Sequence, residues 1–344
     1  MTTERITPSH RAETAEQGSG GRESTLTVIV ALAINASIAV MKAVAGVLTG
    51  SAAMLAEAAH SVADTSTEGM LLAALRHSER PADRRHPFGY GKVRFFWSLI
   101  AAVSIFVTGA MFAVYKGVRT IVGGEGEQTL AWVAFLVLGL SFVMEGTSWF
   151  RAMYQIRREQ DETGRTLLDH LRTTDDPTVK TVFFEDTAAL LGLLLAFAGV
   201  GLRLLTGSAL WDGLASLLIG LLLATVAYLL GRTNMRLLIG AQADERLVRA
   251  VYARLSAKPE VVQVVDLLTM LTGTDKVLLC VRVDFADSLS AAELEHVCVR
   301  IHDELRQEFV DLDEIFVEPV PRTDPALRAR VVNRYGSVLE NIRP

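Results

Sequence analysis

Cysteine is scarce, with Cys280 and Cys298 the two examples among 344 residues. Neither has a partner at zinc-motif spacing, so they read as free thiols in a reducing compartment. The chain contains no HExxH motif and no nucleophile–base pair at a recognisable spacing, which argues against a membrane metalloenzyme. A formal net charge of −5 argues against nucleic acid as a partner. The first 24 residues are polar and charged and lack the apolar core of a signal peptide. They are expected to form a disordered tail, with the first apolar run retained. No apolar run long enough to cross a bilayer follows Gly240.

Such runs are frequent before Gly240. Half of the residues are apolar, and about 20 consecutive apolar residues cross a ~30 Å hydrocarbon core. The runs are Leu26–Leu48, Ala52–Leu75, Phe95–Val122, Leu130–Tyr154, Val179–Leu205 and Leu210–Leu230. The second is less apolar and carries charges. The pattern predicts an α-helical, multi-pass membrane protein of six transmembrane helices over residues 25–240. Basic residues sort between the connections: Arg76 to Arg94 populate the second, Arg151 to Lys180 the fourth, and Arg232 and Arg236 follow the sixth run. The third connection, Gly123–Thr129, has none. The positive-inside rule then places both termini in the cytoplasm or its topological equivalent, in the plasma (inner) membrane if the source is bacterial.

Residues 241–322 read as a small soluble α+β domain. Asp244–Leu255 has a helix pattern, and Val261–Met270 and Lys276–Phe285 are β-rich runs joined by a tight turn. Ser290–Phe309 is helical with Ser290 and Glu293 spaced as a capping box, and Glu314–Val320 is a short strand. The order αββαβ suggests a two-layer domain. Residues 323–344 form a C-terminal tail with no assigned structure.

Ionisable groups inside a span are costly, so each is a functional candidate. The second run carries Glu57, His60, Asp64 and Glu68, all within about 80° on a helix wheel. His60 and Asp64 stand one turn apart, and an imidazole nitrogen with a carboxylate oxygen suits zinc, manganese, cobalt or iron. The alternative is a buried polar stripe that pairs with another helix, for which Lys42 is the candidate partner. In the fifth run Glu185 and Asp186 point about 100° apart. Glu185 shares a face with the small residues Ala189 and Gly192 and is the better ligand candidate; Asp186 is left for capping, pairing or proton transfer. Glu145 either lines a pathway or pairs with Lys116. Asp212 opens the sixth run, where helix capping is at least as reasonable as a functional role.

These residues resemble the cation diffusion facilitator family, the zinc-transporter family. Leu55 to Asp64, containing His60-x-x-x-Asp64, resembles the family's second-span motif. Asp83 to Lys92 resembles its loop before the third span, and Asp176-Pro177 to Gly192 the start of its fifth. Asp212 matches a sixth-span Asp, and Leu237 to Gly240 the exit from the membrane. The resemblance covers roughly residues 25–320. It implies a homodimeric exchanger of divalent metal for protons, with zinc the foremost cargo. It also implies a ferredoxin-like, metallochaperone-like cytoplasmic domain and no prosthetic group.

The chain departs from the family pattern at three places. The second fifth-span ligand is replaced by Ala189, which leaves His60, Asp64 and Glu185 as the implied metal set, and the Glu185-Asp186 pair is most like the zinc-transporter-nine-like branch. In the loop, Asp83 and His86 match a metal site of some members, but Tyr90 stands where a further His is expected. In the tail, Val265 and Val281 occupy positions where some members place His, while His296 and His302 read as solvent-facing. The tail is therefore expected to be a dimer module. Against metal transport stands a non-transporting scaffold or sensor of the same fold, supported by the missing fifth-span ligand.

Overall fold

The computed structural model describes residues 32–124, 130–163, 177–274 and 276–335. The expected N-terminal tail, most of the third connection, the latter part of the basic fourth connection and residues 336–344 lie outside the described residues.

Among the described residues, five helices are long and apolar enough to cross a membrane: α1 (Leu32–Thr49), α3 (Lys92–Gly123), the apolar part of α4 (Ala131–Thr163), that of α5 (Pro177–Thr206), and α6 (Leu210–Ile239). Helix α2 (Ala52–Ser78) has 27 residues, about 40 Å at 1.5 Å per residue. It falls short on apolarity because it carries Glu57, His60, Asp64 and Glu68, and it compensates by burial, with Glu57 and His60 almost wholly hidden. Lipid-compatible apolar side chains such as Phe106, Leu136, Phe150, Leu194 and Leu221 remain exposed on the other helices, as suits a surface that meets hydrocarbon.

Local chemistry sets the boundaries. Gly50, at φ 64°, takes the left-handed conformation that ends α1. Pro177 opens α5 at the position where its missing N–H is not needed. Helix α3 contains a π-helical stretch, Ile105–Ala110. Its later half packs closely on α6: a Cβ at Gly117 would lie 2.7 Å from the Gly213 carbonyl oxygen, the close backbone approach that small residues permit between membrane helices.

The chain divides into two compact units. One holds α1, most of α2 and α3, α4, α5 and most of α6; the other gathers residues 75–96 with the chain from Arg232 onward. In the second unit α7 (Glu245–Ser256) is capped by Asp244, whose side chain accepts from the Arg246 N–H. Strands β1 (Val261–Gly273) and β2 (Lys276–Phe285) pair antiparallel, with Leu267 opposite Val281. Helix α8 (Ala291–Glu308) starts with a reciprocal capping box between Ser290 and Glu293, and β3 (Leu312–Pro319) then lies parallel to β2, which is central in the order β1-β2-β3. Alternate β2 side chains, Val277, Leu279, Val281, Val283 and Phe285, are buried with Val251, Leu255, Ile301 and Leu305 of the helices.

A further helix, α9 (Pro325–Tyr335), occupies part of the segment for which the sequence suggested no structure. The Asp324 side chain accepts from the N–H groups of Ala326 and Leu327. An Asp cap followed by Pro at the first helical position is a sound start signal.

Residues 75–96 belong with this unit through specific contacts. A Cβ at Gly91 would lie 2.4 Å from the Thr272 carbonyl oxygen. Arg94 donates to the Thr274 hydroxyl at 3.0 Å, and Phe95 is fully buried in the same core as Leu237 and Leu279.

Candidate metal centre

Helix α2 presents its charged stripe to α1, α4 and α5. His60 Nε2 and Asp64 Oδ2 are 3.4 Å apart, one helical turn removed in sequence, with the His60 side chain only 2% exposed. Both imidazole nitrogens, Asp64 Oδ1 and Glu185 Oε1 are buried without a hydrogen-bond partner. Buried polar atoms are nearly always satisfied, so this concentration of unpartnered polar atoms in one place, among them one acceptor nitrogen of the neutral imidazole and two carboxylate oxygens, fits a cation.

Asp64 and Glu185 share a cavity of ≈ 430 Å³ with Glu68, Glu145, Asp186 and Ala189. Ala189 thus faces the space into which a fourth ligand would project. Asp186, expected on another face, also reaches this cavity. The ~100° between adjacent residues still leaves both side chains on its wall, because the cavity is wide. Among the described residues, no three His, Cys, Asp or Glu side chains already stand close enough together to hold an ion. His60, Asp64 and Glu185 are therefore brought to one region without being closed around a point.

The Lys42 side chain is fully buried. Its ammonium donates to Glu57 Oε2 at 3.2 Å, to Ser61 Oγ at 2.9 Å and to Glu145 Oε1 at 2.7 Å. The polar-stripe alternative thus describes Glu57, while His60 and Asp64 remain outside that network. The basic partner of Glu145 is Lys42 on α1. Glu57 also abuts α5: a Cβ at Gly192 would lie 2.2 Å from Glu57 Oε1. Glu68 accepts a hydrogen bond from Asn35 of α1.

Asp212 caps a helix other than its own. Fully buried, it accepts from the backbone N–H of Ala52 at 2.6 Å, that of Ala53 at 3.2 Å and the Ser51 hydroxyl at 2.7 Å. It also pairs with Arg203 at 3.1 Å. The first N–H groups of a helix lack internal acceptors and carry the positive end of its dipole, so the carboxylate of α6 fixes the start of the helix that bears His60 and Asp64. Sequence reasoning did not single out Arg203, Ser51 or Asn35. An Arg within an apolar run is itself a signal of the kind that flagged Glu185.

The loop pair is built differently. Asp83 Oδ1 accepts from the N–H groups of Arg85 and His86, and Oδ2 accepts from the Tyr90 hydroxyl at 2.7 Å. The His86 and Tyr90 rings are in contact, tilted by 39° with centroids 4.3 Å apart. These bonds, that from Tyr90 foremost, hold the Asp83 carboxyl down to about 2 and raise the Tyr90 hydroxyl above its ordinary value. In the tail, His296 is exposed and His302 contacts Asp303 at 3.0 Å. Cys280 and Cys298 are both free and partly buried, which pushes both thiols up.

The profile of the cation efflux transmembrane domain matches residues 28–239, and the chain belongs to that family. It is an integral, multi-pass membrane protein. Its relatives include the proton-coupled zinc antiporter SLC30A9, mitochondrial, of Mus musculus (34% identical over 75% of this chain and 45% of that protein) and of Xenopus laevis (36%, over 75% and 46%). The chain therefore spans less than half the length of these relatives. The putative transporter MamV of Paramagnetospirillum magneticum is 25% identical over 93% of this chain and 89% of its own length.

Proposed function

We propose that the protein exchanges a divalent metal ion, zinc foremost, for protons across the bilayer, and that it exports metal from the cytoplasm. The observation that carries this reading is the buried His60–Asp64 pair, whose open nitrogens and oxygen share one region with the open oxygen of Glu185. In this reading all six helices cross the membrane, α2 doing so as an inner helix whose charges face protein. His60 supplies an imidazole nitrogen, and Asp64 and Glu185 supply oxygens and the two negative charges that balance a 2+ ion. Metal ligands must shed protons before binding, so metal entry releases protons and a proton gradient drives the reverse exchange. The proton-coupled zinc antiporters among the relatives support the same chemistry.

Both termini are assigned to the cytoplasm. The unit from Arg232 onward is assigned as a ferredoxin-like module that joins two copies of the chain, with Val265 and Val281 where metal-binding members have His. The loop pair Asp83–His86 is assigned a structural role, because both Asp83 oxygens are already engaged.

The test is uptake into sealed vesicles under an imposed pH gradient, over zinc, manganese, cobalt and iron(II). Gradient-dependent uptake of at least one ion is expected. A scaffold or sensor, favoured by Ala189 and by the open arrangement of the three ligands, gives none.

A further inference from the structure

We propose that Lys42 is the specificity-determining residue of the metal site, a tethered cation that holds Glu57 and Glu145 out of the ion's coordination. The inference rests on the transport reading above.

An ammonium has three donors, and here they meet three partners, Glu57, Ser61 and Glu145, on two other helices. Lys42 and Glu57 are completely buried, and the Glu145 side chain is 18% exposed where it reaches the cavity. The network is not self-sufficient: Glu57 Oε1 and Glu145 Oε2 are buried without hydrogen-bond partners. Each carboxylate is thus held by Lys42 through one oxygen; the second oxygen of Glu57 abuts α5 at Gly192, and that of Glu145 is open. Glu145 lines the same cavity as Asp64 and Glu185, so without a competing cation it is a donor within the site's own wall.

The cavity carries more carboxylates than one dication neutralises, since Glu68 and Asp186 line it as well, with Arg151 the one basic residue of the lining. Of these, Glu145 is the one that Lys42 holds, while Glu68 accepts from Asn35 and Asp186 from Ser148. With Lys42 in place, the donors left to an ion are one imidazole and a small number of carboxylate oxygens. Zinc accepts such a low-coordinate, nitrogen-containing set. With Lys42 neutralised, Glu145 and then Glu57 join an oxygen-rich set, which suits manganese and other hard cations that take six or more oxygens. A lysine used only as a staple between helices has no such consequence for metal choice.

The experiment compares wild type with Lys42→Met, similar in length and uncharged, and with Lys42→Arg, which keeps the charge. Zinc and manganese uptake are measured in the same vesicles. Lys42→Met is expected to raise the manganese-to-zinc preference about tenfold, while Lys42→Arg stays near wild type. A fall in both metals at an unchanged ratio marks a staple and overturns the inference, leaving the transport reading intact. Wild type that takes up neither metal overturns the transport reading and this inference with it. Should Lys42→Met fail to fold, X-ray absorption on zinc-loaded wild type decides. About four light-atom neighbours including imidazole support the exclusion of Glu57 and Glu145, and six oxygen-dominated neighbours contradict it.

Discussion

The Asp212 carboxylate accepts the Ala52 N–H at 2.6 Å and pairs with Arg203 at 3.1 Å, so the first turn of α2 is fixed by a residue 160 positions later in the chain. The proposed ligand pair His60–Asp64 begins two turns beyond that anchor. Asp212→Ala removes a helix cap, worth about 1 kcal/mol, and takes a carboxylate partner from buried Arg203, for a total loss of about 3 kcal/mol or more. Thermal unfolding of the detergent-solubilised protein should show a clear drop in Tm, with Asp212→Asn intermediate. An Asp212→Ala variant as stable as wild type would contradict the anchor.

Gly192 is required where Glu57 crosses to α5. The methyl of Gly192→Ala meets Glu57 Oε1 at 2.2 Å, and Glu57 is held by Lys42 at 3.2 Å and cannot swing away freely. Overpacking of this kind costs about 1–3 kcal/mol. Reduced stability together with reduced zinc uptake is expected, and Gly192→Ala protein that matches wild type in both would show that the contact relaxes at no cost.

Glu185 and Asp186 both reach the cavity, but only Glu185 has a buried oxygen without a partner. Glu185→Gln should abolish metal transport, while Asp186→Asn should keep a substantial fraction. The reverse ranking would make Asp186 the ligand and place the metal nearer α4. Ala189→Asp adds a carboxylate to the same wall and should tighten zinc binding and slow its release.

The second and fifth runs, the HxxxD spacing and the capping box at Ser290 were legible because each depends on residues near one another in sequence. A period of 3.6 places His60, Asp64 and Glu57 on one face whatever packs against it. The partition of that face was not legible: which carboxylates belong to Lys42 and which remain open depends on α1 and α4, and Lys42 and Glu145 lie 103 positions apart. Asp212 was read as a possible cap for its own helix, since the Ala52 and Ala53 N–H groups it caps are brought to it only by the packing of α2 against α6. Apolarity alone does not mark α2 as a span, and its charges are hidden by its neighbours.

The loop lock at Asp83 has a defined pH window. Its folded carboxyl titrates at about 2, below the ordinary value near ~3.9. A depressed acid contributes stability above its unfolded pKa and loses it as pH falls through its folded pKa, so the lock is complete above about 4 and gone below about 2. Tyr90→Phe removes the largest contributor, and the Asp83 resonance in a carbon NMR titration should move up toward ordinary aspartate. An unchanged titration would mean that the backbone N–H groups of Arg85 and His86 suffice.

The central claim is that a proton gradient drives metal through a site containing His60, Asp64 and Glu185. Its most direct test is zinc uptake into vesicles, with and without an imposed pH gradient, for wild type and Asp64→Asn reconstituted in equal amounts. Asn keeps the size of Asp and removes its charge, so a folded, membrane-inserted variant without uptake isolates the ligand role. The account predicts gradient-dependent uptake by wild type and none above background by Asp64→Asn; near-normal uptake by the variant, or wild-type uptake indifferent to the gradient, would contradict it.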